Sequence, residues 1–484
     1  MNIDQIIDDA MRPAADWLSG IVLYRVSALG AEIPLIVVWL VAGGLFFTLY
    51  FRFINVRGFL HSVSILSGRY ADSSAPGELT QFRALTTAVA GTVGIGNMAG
   101  VAVAISVGGP GAAFWLAVAG FLGMSTKFTE CTLGVLFRRN NPDGSVSGGP
   151  MHYLEAGLRQ MGWPRLGRGL GIFYALAMVI GCLGIGNMFQ SNQAAEMVVI
   201  LTGREGSFFA DKGWLMGLVL AVLAGLVIIG GIRSIGSTTV RLVPAMALLY
   251  IILALLFMAF NIEKLPGAVA AIWTNAFAPE GLAGGTLGAL VIGFQRATFS
   301  NEAGLGSAAI AHSAARTPRP VSEGHVGLLE PFIDTVVICM MSAVVIAVYD
   351  PDITGGAVSG IELTISAFES TLSWSAIPIG IAALLFAFST MLAWSYYGLK
   401  AFTYLAGEGR LRDIGFKLFF LMFVVIGASL ELGALIDLSD ALILIVAVPN
   451  LIGLYMMAPI VKRELQGYYP PAICRDAAAE RPSP

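Results

Sequence analysis

Apolar runs long enough to cross a bilayer alternate along this chain with short polar segments. A spanning helix needs about 20 mostly apolar residues. Eleven such runs stand out: 33–51, 84–107, 113–136, 171–199, 214–230, 240–260, 284–310, 325–348, 376–402, 414–433 and 438–460. Two connections exceed what a turn requires. The stretch 138–170 carries Gly148-Gly149-Pro150 and then a helical pattern from His152 to Gln160, and the stretch 350–370 has a helical pattern after Asp350-Pro351. Both read as surface helices that could cap a pathway. The first residues, with Asp4, Asp8, Asp9 and Asp16, read as a short amphipathic segment rather than a signal peptide, and the Pro- and Ala-rich tail from Tyr468 reads as disordered.

With the first run set aside, ten remain and divide into five and five, over 84–260 and 284–460. An odd number of crossings sends the second set into the membrane from the opposite side. That is the inverted-repeat arrangement of many secondary transporters, whose sites form where the first helix of each repeat is broken. The predicted organisation is therefore an all-α polytopic membrane protein: residues 1–83 with one extra helix, a repeat over 84–260, an inverted repeat over 284–460, and a tail over 461–484.

Breaks occur where this scheme requires them. Residues 91–100 read Gly-Thr-Val-Gly-Ile-Gly-Asn-Met-Ala-Gly, and each helical glycine costs about 1 kcal/mol relative to alanine. The second repeat opens with a polar run, Gln295-Arg296-Ala297-Thr298-Phe299-Ser300-Asn301-Glu302, continuing through Gly304 and Gly306 to Ser307. Polar groups at that depth must face protein, water or a ligand. Unwound carbonyls can bind a cation, and a half-helix N-terminus can receive a carboxylate. Close helix packing also explains glycines in one span, but not a polar break at the matching place in the other repeat. The candidate substrate-binding residues are Thr92, Gly94, Gly96, Asn97, Gln295, Ser300, Asn301, Thr390 and Trp394. A second Gly184-Ile185-Gly186-Asn187-Met188 is a possible lining segment or a packing element.

Ser389, Thr390 and Trp394 lie in the run 376–402, with Thr390 and Trp394 on one helix face by their i, i+4 spacing. The hydroxyls can ligate a hard cation or bond back to their own helix. Among charged residues within spans, Lys127, Glu130, Glu330 and Asp334 read as structural pairs or a gate, and Arg296 with Glu302 as a pair across the second break.

Composition agrees. Hydrophobic residues make up 56% and charged residues only 12%, and the mean hydropathy is +0.78. That excludes disorder and an ordinary soluble enzyme. The formal net charge of −3 gives no case for nucleic acid. Of the four cysteines, Cys131, Cys182 and Cys339 lie far apart in apolar runs and read as core residues; Cys474 falls in the tail. Of the 28 Lys and Arg, 21 fall on one side of the predicted topology and five on the other, and Lys127 and Arg296 lie within spans. By the positive-inside rule this places the N-terminus outside and the C-terminus inside. No G-x-x-x-x-G-K-[ST], H-E-x-x-H or G-x-S-x-G occurs, which leaves ion-coupled transport ahead of a pump, protease or hydrolase. A channel or a non-transporting sensor is the alternative class.

The chain resembles the alanine/glycine:cation symporters, the sodium:alanine symporter family, from about residue 33 to 465. The resemblance rests on Gly91 to Gly100, on Gly108-Gly109-Pro110-Gly111-Ala112-Ala113-Phe114-Trp115 through Gly120, and on Ser300 through His312. The family usually continues that Phe-Trp with Met-Trp, where this chain has Leu116-Ala117. The resemblance implies the five-plus-five fold of neurotransmitter:sodium symporters with one extra N-terminal helix. It implies sodium-coupled uptake of small neutral amino acids, alanine and glycine above all, with glutamine transport or proton coupling as alternatives. By position it implies a sodium site at Ala90, Val93, Asn97, Phe386, Ser389 and Thr390. Na⁺ is then the coupling ion, with no organic cofactor, no obligate protein partner, and a bacterial plasma or inner membrane as the setting.

Overall fold

The computed structural model describes residues 12–468, apart from 14–16, 18–19, 21, 23, 29–30, 71, 73, 142–143, 279–284 and 350–359. The amphipathic reading of the first residues, the disordered reading of the tail and the start of the stretch 350–370 lie largely outside these residues. A two-stranded hairpin, β1 (Arg25–Ala28) and β2 (Ala31–Pro34), leads into helix α1 (Leu35–Tyr50) and the short α2 (Phe59–Leu66). Next come α3 (Gln81–Thr92), α4 (Ala99–Gly108), α5 (Gly111–Leu136), α6 (Pro150–Gln160), α7 (Pro164–Gly181), α8 (Phe189–Leu201), α9 (Gly213–Ile228) and α10 (Gly231–Phe260). After α11 (Leu265–Ala276) come α12 (Gly285–Asn301), α13 (Ser307–His312), α14 (Pro320–Pro331), α15 (Met340–Tyr349), α16 (Ile361–Glu369), α17 (Ala376–Ala406), α18 (Arg410–Gly427) and α19 (Leu432–Tyr468).

Among the described residues every predicted run is largely helix, with 84–107 and 284–310 each interrupted. Taken singly, six helical stretches among the described residues are long and apolar enough to cross a membrane, and a seventh is the bent pair α3–α4. Two of the six are themselves interrupted. A π-helical turn at Gly184–Met188 joins α7 to α8, and a longer one at Phe332–Cys339 joins α14 to α15 directly after Pro331. Proline cannot donate to the helical ladder, and π-turns often mark functional positions. Both longer connections hold the helices expected of them, α6 and α16, whereas α11 and the hairpin were not anticipated.

The second helices of the two repeats, α5 and α14, pack against each other, and α12 and α1 also lie on α5. Glycine permits the closeness: a Cβ on Gly324 would stand 2.1 Å from Thr132 Oγ1, and one on Gly327 would stand 2.4 Å from Cys131 Sγ. α17 packs on α3, α7, α8 and α10, which sets its middle against the first break. Cys131, Cys182 and Cys339 are free and buried, as core residues should be.

Candidate functional site

α3 stops at Thr92 because Val93 leaves helical geometry (φ −75°, ψ 87°) and Gly94 is extended (φ −120°, ψ −169°). A single 3₁₀ turn, Ile95–Asn97, follows, and the helix resumes with its axis bent by 61°. α12 ends at Asn301 because Glu302 (φ +57°), Gly304 (φ +95°) and Gly306 (φ +76°) are left-handed. Glycine takes that conformation freely, whereas Glu302 pays about 1–2 kcal/mol for it. Its side chain is held accordingly, accepting hydrogen bonds from Ser307 Oγ and from Trp394 Nε1 at 3.0 Å.

On one side of the first break, four oxygens converge. Thr390 Oγ1 lies 3.0 Å from the Ala90 carbonyl and 3.1 Å from the Phe386 carbonyl; Ser389 Oγ lies 3.4 Å and 3.0 Å from the same two. All four residues are buried. The hydroxyls thus bond back to their own helix and also reach across to α3. Val93 adjoins the group through Gly94, where a Cβ would stand 2.5 Å from Thr390 Oγ1. Two carbonyls and two hydroxyls with no charge of their own suit a hard monovalent cation.

Asn97 of the predicted cation set lies elsewhere, beyond the break. Its Oδ1 accepts the Gly94 N–H at 3.0 Å, and its Nδ2 donates to the Asp334 carboxylate in the second π-helical segment. Ser300 Oγ donates to the same carboxylate, and Asn301 Nδ2 donates to Thr335 Oγ1 at 3.1 Å. Asn97, Ser300 and Asn301 are thereby gathered where the two repeats meet. Gly96 touches this region through Phe299, whose ring would lie 3.3 Å from an added Cβ and packs edge-on with Phe189. The Thr92 hydroxyl points back to the Val89 carbonyl at 3.4 Å. Gln295 stands apart, donating to Asp440 Oδ2 at 2.7 Å.

The expected Arg296–Glu302 pair does not form. Arg296 is paired with Asp440 of α19, while Glu302 takes the indole of Trp394 and the Ser307 hydroxyl. Lys127 Nζ pairs with Glu330 Oε1 at 3.2 Å, both fully buried. Glu330 continues to His312, whose Nδ1 lies 2.6 Å from Glu323 Oε1. Glu130 instead accepts the N–H groups of Gly304 (2.9 Å) and Gly306 (3.0 Å), together with Asn450 Nδ2 (2.9 Å). It therefore fills the positive end of the half-helix α13.

Trp394 is fully buried, and its Nε1 also donates to the Gly91 carbonyl at 3.2 Å. A Cβ on Gly186 would lie only 2.0 Å from the indole, so this glycine-rich turn packs against Trp394. Sequence reasoning missed Gln190, which accepts the Ile95 N–H at 3.0 Å and donates to the Ile185 carbonyl at 3.0 Å. It also missed Asp440 and the role of Asp334. A glutamine two residues past the glycine-rich segment Gly184–Met188 was the available signal for Gln190.

A helical membrane bundle with two facing broken helices, and with the hydroxyls of a third aimed at the unwound carbonyls of one, is the architecture of a secondary transporter. The solved structure of MhsT in complex with L-phenylalanine superposes with a TM-score of 0.57 at 13% identity, covering 76% of this chain and 87% of that one. The fold is thus that of the neurotransmitter:sodium symporters. The chain matches the profile of the Sodium:alanine symporter family over residues 19–475. It is 37% identical to the Sodium/alanine symporter AgcS of Methanococcus maripaludis over 440 residues, 90% of this chain and 94% of that one. It is 32% identical to the Probable sodium/glutamine symporter GlnT of Bacillus subtilis over 436 residues, covering 90% and 87%. The chain belongs to the sodium:alanine symporter family and is an amino-acid:cation symporter by class.

Proposed function

We propose that this chain imports small neutral amino acids, alanine and glycine foremost, by alternating access coupled to sodium. The membrane is a bacterial plasma or inner membrane, with the N-terminus outside and the C-terminus inside. The observation that carries the reading is the convergence of Ala90 and Phe386 carbonyls with Ser389 and Thr390 hydroxyls. Sodium held there ties α17 to α3 at the break. Any ion that binds one arrangement of the break better than another shifts the population toward it.

The amino acid is placed at the first break. Glu130 already occupies the N–H groups of Gly304 and Gly306, so the first break is the better receiver for a substrate carboxylate. Gly94, Gly96, Asn97 and Gln190 surround that break, and Trp394 closes one wall. Among small amino acids, selection rests on excluding larger rivals more than on attraction, because few apolar atoms are available to bind.

The test is uptake into proteoliposomes of a labelled panel containing alanine, glycine, glutamine, leucine and phenylalanine, with a sodium gradient, a proton gradient or none. Alanine and glycine uptake driven by the sodium gradient is expected. Uptake driven by protons alone overturns the sodium assignment, glutamine as the fastest substrate overturns the size assignment, and no uptake of any member favours a sensor.

A further inference from the structure

We propose that a cavity bounded by a second hairpin, α6, the start of α7 and the end of α17 binds a phosphate group, that of an anionic phospholipid headgroup or of a soluble phosphate compound. The hairpin pairs β3 (Arg139–Asn140) with β4 (Val146–Ser147) and stands between α5 and α6 in the chain. The cavity holds about 730 Å³ and is lined by Arg139 and Ser147 of the hairpin, His152 and Glu155 of α6, Arg168 of α7 and Tyr404 of α17. Small-ligand pockets commonly hold about 300–1,000 Å³. None of these side chains belongs to the two breaks or to the oxygens around Thr390.

The acids in this region are already engaged. Glu155 accepts Arg159 at 2.8 Å and the Tyr404 hydroxyl at 2.8 Å, and Glu408 accepts the Asn141 amide at 3.4 Å. Lys400 holds the hairpin, donating to the Val146 carbonyl at 3.1 Å and the Ser147 hydroxyl at 3.2 Å. Among the described residues, neither Arg139 nor Arg168 forms an ion pair or a side-chain hydrogen bond. His152 is only 8% exposed, yet among the described residues its ring makes no hydrogen bond; it stands edge-on to Tyr404 and faces the cavity. Burial first, and then the positive charges of Arg139 and Lys400, keep that ring neutral. A neutral imidazole retains one N–H to donate. Two guanidinium groups without counterions and one imidazole without a partner therefore surround a single cavity. The guanidinium fork matches phosphate oxygens in both geometry and charge.

The apolar edge of the cavity favours a lipid as the source. Ile172 lines it, and Ile172, Leu176 and Ile180 follow at four-residue spacing along α7, 38%, 50% and 53% exposed. That spacing puts them on one helix face, and in a membrane bundle an exposed apolar face meets acyl chains. A headgroup phosphate between Arg139 and Arg168 leaves its acyl chains to run along this stripe. Basic pockets between membrane helices recognise anionic headgroups in this way. A zwitterionic lipid carries a cation beside the same phosphate, and that cation would meet the two arginines, so the site discriminates against it by repulsion. Occupancy would join the hairpin and α6 to the start of α7 and the end of α17.

The experiment is native mass spectrometry of the purified full chain in a non-ionic detergent, titrated with phosphatidylglycerol or with phosphatidylcholine. It compares wild type, Arg139→Gln, Arg168→Gln, the double variant, and Arg463→Gln, which removes an exposed positive charge outside the cavity. Arg139 and Arg168 are themselves exposed, so their variants should fold as wild type does. Wild type is expected to retain one phosphatidylglycerol per chain under conditions that strip phosphatidylcholine. Arg139→Gln and Arg168→Gln should each raise the lipid needed by roughly tenfold, as the loss of one hydrogen bond to a charged group commonly does. The double variant should need more still, and Arg463→Gln should match wild type. Phosphatidylcholine retained as well as phosphatidylglycerol overturns the site, because no charge is then being read. A loss in Arg463→Gln as large as in Arg168→Gln also overturns it, because diffuse attraction is then sufficient. Inorganic phosphate and glycerol 3-phosphate form the second arm. Binding of either to lipid-free protein, lost in the double variant, upholds the phosphate site and gives it a soluble ligand. Phosphatidylglycerol that stays bound in a millimolar excess of both gives it the lipid. Binding of neither lipid nor soluble phosphate overturns the proposal. The readout is binding at this cavity alone, so its failure leaves the symport reading untouched.

Discussion

The indole N–H of Trp394 lies 3.0 Å from the Glu302 carboxylate and 3.2 Å from the Gly91 carbonyl, so one side chain of α17 joins the second break to the last turn before the first. Glu302 has left-handed backbone geometry and Gly91 lies in the last turn of α3, and neither acceptor is supplied by α17 itself. The indole therefore positions the two breaks relative to each other as well as filling space beside them.

Trp394→Phe and Trp394→Ala separate those two roles. Trp394→Phe keeps most of the bulk and loses the donor; the unpaired Glu302 oxygen and Gly91 carbonyl should weaken alanine binding by about 1–3 kcal/mol with little change in size selection. Trp394→Ala should in addition admit larger neutral amino acids, since one methylene in an apolar pocket contributes about 1–3 kcal/mol of discrimination. Competition of labelled alanine by a size series is the measurement. If the size cutoff is the same in wild type and Trp394→Ala, Trp394 does not wall the pocket.

Thr390→Val keeps the shape of the side chain and removes the oxygen that faces the Ala90 and Phe386 carbonyls. A lost buried polar partner costs about 1–3 kcal/mol, roughly five- to 150-fold. The sodium concentration for half-maximal uptake should rise by that factor, with alanine affinity recovering at high sodium. Sodium dependence identical to wild type would show that the hydroxyl only joins α17 to α3 and to its own helix, without ligating an ion.

The first break was legible because four glycines crowd ten residues, and the second because a polar run interrupts an apolar one. The i, i+4 spacing of Thr390 and Trp394 also gave their shared face, since helix geometry is local. What the sequence hid was partnership at a distance. Arg296 and Glu302 are six residues apart and invite pairing, yet Arg296 reaches Asp440, 144 positions away. Asp334 could be read as acidic and intramembrane but not as the meeting point of Asn97, 237 positions distant, with Ser300. Gln190 remained unnoticed because nothing near it in the chain announces Ile95 as its partner. α11 was passed over because its 12 residues fall below spanning length.

His152, on α6, is buried against the ring of Tyr404. Burial first, and then the nearby Arg139 and Lys400 charges, push its imidazole from the ordinary 6.5 down to about 4. The unfolded chain thus takes up this proton at a higher pH than the folded one. Its contribution to stability is whole above about pH 6.5 and is lost as the pH falls from there toward 4. Thermal unfolding of the solubilised protein should show a midpoint that drops across this window, and His152→Gln should flatten the drop. Equal slopes in the two proteins would place the acid sensitivity in other groups.

Lys127 and Glu330 form an ion pair at 3.2 Å with no exposure on either side. Burying two charges costs several kcal/mol of solvation per ion, which their attraction repays only while both are present. Lys127→Met alone strands Glu330 with His312 at 3.7 Å as its remaining cationic neighbour. That should destabilise the folded protein by about 3–5 kcal/mol. Lys127→Met combined with Glu330→Gln removes both charges and should recover much of the loss, since a neutral buried pair carries no such solvation cost. The Lys127 charge also acts on Glu130 and Glu302, so recovery is expected to be incomplete. Unfolding midpoints of wild type, Lys127→Met, Glu330→Gln and the double variant, measured in one detergent, give the coupling between the two positions. A double variant no more stable than Lys127→Met alone would show that Lys127 serves the carboxylates around the second break rather than Glu330.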